Sequence, residues 1–215
     1  MAGIVFAPLL FVGLLLLDLD DVGSDATRAE IVSTFSDSGT EWKKEIGATL
    51  VGFAIFFLLI FLGRLRAFFR AAEGDAGIFS SAAFAGGVVF AALLGVSAGL
   101  DTAVVSTDGF FENYRVDADT PLVLTSLANW TRGFAVVGGG VLVGASSVVA
   151  LATRLFPRWL AFGGLAVAVV SFFGETTAVF GFPILLILLW VLAASVLIVR
   201  AGRTKGPTAA GRRPA

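Results

Sequence analysis

The sequence predicts an all-α bundle of six transmembrane helices with both termini on the cytoplasmic side, and three observations carry that prediction. Hydrophobic residues make up 57% of the chain and charged residues only 14%, with a mean hydropathy of +0.94; soluble domains carry about 25% charged residues. The apolar residues fall into six runs, near 3–17, 46–63, 77–100, 133–153, 159–174 and 178–199. The charges between the runs alternate in sign. Ten of the fifteen bases fall in the segments that follow the second, fourth and sixth runs, and positive residues are retained on the cytoplasmic face.

The run Ile46–Gly63 anchors this reading. Its 18 uncharged residues span about 27 Å as a helix, close to the hydrocarbon thickness of a bilayer. Arg64, Arg66 and Arg70 follow it and mark the inner end, while Trp42 marks the outer interface.

The first run, within residues 1–17, ends at Asp18, Asp20 and Asp21. A cleaved signal peptide is the rival reading, but no basic segment precedes the run and no Ala-x-Ala-like site follows it. We expect a short retained span containing Pro8. Between Asp18 and Glu45 the chain is acidic, and the stretch from Ser24 to Phe35 reads as a short capped helix. Thr40 is the expected N-cap of the second span.

The third run, Gly77–Leu100, is rich in Gly, Ala and Ser. Small residues let helices approach closely, so this helix is expected to be central. Asp101–Thr120 then reads as an outer loop. Asp119-Thr120-Pro121 is a helix start, with Thr120 as N-cap and Pro121 at the first helical position. The helix it opens continues through Trp130 and Arg132 into Gly133–Thr153, where Gly138, Gly139 and Gly140 are consecutive and Gly140 and Gly144 form a GxxxG pair. Arg154 and Arg158 mark the inner turn. The fifth and sixth runs follow, the last leaving the membrane at Arg200, and the basic tail 201–215 is expected to be disordered. Trp42, Trp130 and Trp159 read as interfacial anchors and Trp190 as a packing residue.

Composition also limits the chemistry. The chain contains no Cys and no His, and its single Met is Met1. Zinc, haem and non-haem iron sites of the usual kind lose their ligands, as do Ser-His and Cys-His nucleophile pairs. We therefore expect no metal, no cofactor and no enzymatic activity. None of the six apolar runs contains an ionisable residue, which argues against proton relays and ion-coupled transport through buried carboxylates. The bases are juxtamembrane and sparse, a pattern that suits anionic lipid head groups rather than nucleic acid.

The candidate site lies at the outer helix ends. Arg132 and Glu175 are opposite charges at similar expected depth, with Asn129 one turn before Arg132. Together they suggest either an ion pair or a small outer polar pocket for an anionic or zwitterionic ligand. The competing reading is an Arg that snorkels to water and an ordinary loop carboxylate.

The basic turn Gly63-Arg64-Leu65-Arg66-Ala67 with Ala71-Ala72-Glu73-Gly74, the turn Phe156-Pro157-Arg158-Trp159-Leu160 and the apolar last span with its Arg exit resemble a broad group of uncharacterised actinobacterial six-span integral membrane proteins. That resemblance implies the architecture and brings no activity or catalytic residue. Two roles fit: a non-enzymatic accessory, sensory or assembly component of a prokaryotic plasma membrane, with a membrane-protein partner or a second copy, and a small-solute permease.

Overall fold

In the computed structural model, which describes residues 2–18, 27–35, 38–74, 77–110, 119–173 and 181–204, the chain is all-α. Its helices are α1 (Ala2–Asp18), α2 (Arg28–Phe35), α3 (Ser38–Glu73), α4 (Ile78–Phe110), α5 (Asp119–Thr153), α6 (Arg158–Phe173) and α7 (Phe182–Thr204). Four of them, α3, α4, α5 and α7, are long and apolar enough to cross a membrane. The helices α1 and α6, of 17 and 16 residues, are shorter but equally apolar.

Apart from α2, each helix packs on the next, α1 on α3, α3 on α4, α4 on α5, α5 on α6 and α6 on α7, and α7 returns to α1. The six helices thus form a ring, and α5 also touches α3 and α7 across it. Helix α5 is its most enclosed member: 61% of its apolar window is buried, against 44% for α4. Helix α4, expected to be central rather than lipid-facing, packs on both α3 and α5, and α5 is the most enclosed of the long helices.

The reason lies in three consecutive glycines. Successive residues of a helix point about 100° apart, so Gly138, Gly139 and Gly140 face three different neighbours. A Cβ on Gly138 would meet the Phe90 nitrogen of α4 at 2.8 Å, one on Gly139 the Ile187 Cδ1 of α7 at 2.6 Å, and one on Gly140 the Ser171 Cβ of α6 at 2.8 Å. Gly144 continues the α6 contact, its Cβ position lying 3.0 Å from the Ala168 Cβ. The GxxxG pair is therefore a helix-packing surface, and the flanking glycines extend it around α5. Elsewhere Gly13 of α1 and Gly47 of α3 face each other, each with its Cβ position 3.0 Å from the other's carbonyl oxygen.

At one end of the ring an aromatic cluster joins α3, the α5–α6 turn and α7. Phe156, in the α5–α6 turn, stacks on Phe68 at 6.2 Å between centroids and meets Phe69 and Trp190 edge-on at 5.6 and 6.4 Å. The Trp190 indole donates to the Leu160 carbonyl at 3.2 Å, in the space that Gly164 leaves open beside it. Arg154, with φ 55°, ends α5 in the left-handed conformation, and the Pro157 carbonyl accepts the first hydrogen bonds of α6. At the same end Glu73 closes the α3–α4 turn, its carboxylate accepting from the Phe79 and Ser80 amides at 2.9 Å each. This supplies two of the unpaired N–H groups at the start of α4.

Several helix ends depart from the sequence reading. The short helix begins at Arg28 rather than after Ser24, because Thr27 and Glu30 form a reciprocal cap: the Thr27 amide donates to Glu30 Oε2 at 2.7 Å and the Glu30 amide to Thr27 Oγ1 at 3.4 Å. Thr40 lies inside α3, two residues past its start and buried, so it is not a cap. Helix α5 opens at Asp119, one residue before the expected cap Thr120. Helix α4 runs on to Phe110, so Asp101, expected in a loop, is helical. Helix α7 reaches Thr204, four residues into the stretch assigned to the tail. Residues 205–215 and 174–180, with Glu175 among them, lie outside the described residues.

Candidate functional site

The apolar runs of α1, α3, α4 and α5 each have a charged residue at the end remote from the aromatic cluster: Asp18, Lys44, Asp101 and Arg132. Neighbouring helices in the ring run in opposite directions, so these four positions fall in one layer. Arg132 organises it. Its Nη2 donates to Asp101 Oδ2 at 2.6 Å, its Nη1 to Asp18 Oδ1 at 2.7 Å, and its Nε to Ser97 Oγ at 3.3 Å. One guanidinium thus ties α5 to both α4 and α1. The planar fork of donors makes Arg suited to bridging two carboxylates in this way.

The layer is largely dry. The Arg132 side chain is 11% exposed and that of Asp101 5%, whereas Asp18 is 53% exposed. Lys44 is buried at the start of α3, and its charge, with that of Arg132, acts on the Asp101 carboxylate. Among the described residues, two bases, Lys44 and Arg132, meet two acids, Asp18 and Asp101, in this layer. An isolated charge here would be costly to desolvate, and pairing is the condition for its burial. A second, exposed pair holds α2 to the start of α5: Arg28 reaches both Asp119 carboxylate oxygens, at 2.6 and 2.8 Å.

Beside the layer, between α1, α5 and α7, is a cavity of about 340 Å³. Asp18, Asn129 and Arg132 line its polar end; Phe11, Leu15 and Leu185 are among its apolar walls. The structure places Arg132 and Asn129 in the lining of this one cavity. The partners it assigns to Arg132 among the described residues are Asp18 and Asp101. The other candidate partner, Glu175, lies outside them. Arg132 itself is enclosed and three times bonded.

Asp101, Lys44, Ser97 and Asp18 were not singled out as site residues from the sequence. A signal for the three charged ones was present: each is within two residues of the end of an apolar run, and the alternation of inner and outer ends puts all of them at the depth of Arg132. Within the apolar stretches, hydroxyl oxygens of Ser146, Ser147 and Ser195 are buried without a hydrogen-bond partner. No group of three or more acidic residues suited to a metal ion occurs among the described residues.

Fold and site together define an all-α helix bundle with at least four helices of membrane-spanning length and a layer of paired charges at one end. No protein-family model, curated protein or solved structure matches the chain.

Proposed function

We propose that this is a six-span plasma-membrane protein, with both termini inside, that acts as a non-enzymatic accessory, sensory or assembly component. The observation that carries the reading is the contrast between the two ends of the bundle. At one end opposite charges pair across α1, α4 and α5; at the other Phe68, Phe69, Phe156 and Trp190 form an aromatic cluster between α3, the α5–α6 turn and α7. A permease needs a polar route between these ends, and buried aromatic rings oppose one.

Six spans are supported by the places of α1 and α6 in the ring, where each is flanked by two long apolar helices. Their lengths of roughly 24–26 Å at 1.5 Å per residue suffice for a thin or locally adapted bilayer. The orientation rests on Arg64, Arg66, Arg70, Arg154, Arg158 and Arg200, all at the aromatic end. It puts the ionic layer outside and gives the inner face a site for anionic lipid: Arg154 and Arg158 flank a cavity of about 510 Å³ whose walls include Leu151 and Phe162. The same architecture keeps the resemblance to six-span actinobacterial membrane proteins as part of this reading, and the lack of His and Cys favours a role without catalysis.

Gentle-detergent purification from native membranes tests the assignment. A stoichiometric membrane-protein partner is the expected result; uptake or efflux of small solutes by proteoliposomes containing the pure protein would replace it with the permease reading, for which the outer cavity is the supporting observation.

A further inference from the structure

We propose that the cavity between α1, α5 and α7 binds one zwitterionic phospholipid, its phosphate on Arg132 and Asn129, its ammonium on Asp18 and an acyl chain along Phe11, Leu15 and Leu185. The inference rests on the membrane orientation above only for the leaflet concerned; the chemistry of the cavity is independent of it.

Size admits a ligand. At about 340 Å³, the cavity lies within the range of roughly 300–1,000 Å³ typical of small-molecule sites, which are apolar with a few placed polar groups. The polar groups here are of both signs. Each Arg132 Nη nitrogen uses one N–H on Asp18 or Asp101 and carries a second. Asn129 adds an amide, and the half-exposed Asp18 carboxylate, bonded to Arg132 through Oδ1, has further acceptor sites.

Charge balance selects among head groups. Among the described residues the charged groups on the cavity wall are Arg132 and Asp18, one of each sign, so an anionic head group that reaches Arg132 meets Asp18 as a like charge. A head group with a phosphate and a primary ammonium matches the cavity sign for sign. The position of the wall selects a lipid over a soluble zwitterion. Phe11, Leu15 and Leu185 are exposed on the outside of the helices, and they continue the cavity from the ionic layer into the apolar depth of the bundle, as an acyl chain continues from its head group.

The test is native mass spectrometry of the full-length protein in detergent with phosphatidylethanolamine and phosphatidylglycerol at equal concentration. Retention of one phosphatidylethanolamine, about tenfold tighter than phosphatidylglycerol, is expected, and Leu185→Trp, which fills the apolar arm, should weaken it by about tenfold. Asp18→Asn removes the acid from the cavity wall and should reverse the order of the two lipids; an unchanged order would overturn the ammonium contact. Equal retention of both lipids by the unchanged protein, or retention unaffected by Leu185→Trp, would overturn the site. Displacement of the lipid by an equal concentration of O-phosphoethanolamine would overturn the lipid in favour of a soluble zwitterion. If Asp18→Asn does not fold, Leu15→Trp on the opposite wall replaces it, with the same loss expected as for Leu185→Trp. Fusion reporters read the orientation separately, and a partner pull-down reads the accessory role, so failure of either leaves the lipid result standing on its own.

Discussion

Arg132 and Asp101 meet at 2.6 Å between α5 and α4 with both side chains almost fully enclosed. A pair in that setting differs from the surface ion pairs that contribute about 0–1 kcal/mol, because removing one partner leaves the other desolvated and unpaired. Asp101→Asn is expected to destabilise the protein by about 3 kcal/mol, and Arg132→Gln by at least as much, since it frees two carboxylates. The double change should cost less than the two single costs combined. A thermal-unfolding double-mutant cycle in detergent measures this, and additive costs would show that the two residues do not interact.

Replacing Gly138 or Gly86 by Val should be among the most damaging single changes in the apolar core. A Cβ on Gly86 would stand 2.8 Å from the Gly138 carbonyl oxygen, and one on Gly138 3.0 Å from that of Gly86. Backbone cannot move aside as a side-chain tip does, so overpacking should cost about 3 kcal/mol or prevent assembly. Gly52 and Gly63, with nothing within 4 Å of a Cβ, serve as controls: Ala at either should change stability by no more than about 0.5 kcal/mol. Equal tolerance at all four positions in a stability scan would rule out the close α4–α5 crossing.

Gly87→Leu tests the α3–α4 contact in the same way. The added side chain would run into Leu62 of α3, whose end is flexible, so a moderate loss of about 1–2 kcal/mol is expected. Phe57→Leu, on the half-buried face of α3, should be milder. The order of the two unfolding midpoints decides the matter.

Reporters fused after Gly74, Pro157 and Ala215 should read cytoplasmic, and those near Gly39 and Gly109 external. An external signal at Gly74 would invert the bundle and move the ionic layer to the cytoplasmic face.

The cap of α2 should depend on pH. The Thr27 amide, and then its hydroxyl, hold the Glu30 carboxyl below its usual range. A lowered folded-state value means that the stabilisation is complete above the unfolded value and is lost as pH falls through the folded one. Hydrogen exchange of the Ile31 amide, which donates to the Thr27 carbonyl at 3.0 Å, should therefore lose protection below the ordinary glutamate range, and Glu30→Gln should flatten that dependence.

The helices are legible in the sequence, because a run of uncharged residues has one low-energy way to satisfy its backbone in an apolar solvent, and a helix covers most or all of each of the six runs. The turn at Phe156-Pro157 is legible there as well, and so is the packing role of Trp190 and of Gly140 with Gly144. Helix ends were less legible: α4 carries its hydrogen bonding past Asp101, where charge alone suggested a loop. That α5 is the most enclosed of the long helices, and which carboxylates hold Arg132, emerge only when the helices pack. A glycine in the sequence records that space is needed but not what fills it, and an arginine at a helix end records a charge but not its partner. Both are settled by ring closure, which sets Gly138 against Phe90, Gly139 against Ile187 and Gly140 against Ser171, and brings Asp18 and Asp101, 114 and 31 residues away along the chain, within hydrogen-bonding reach of one guanidinium.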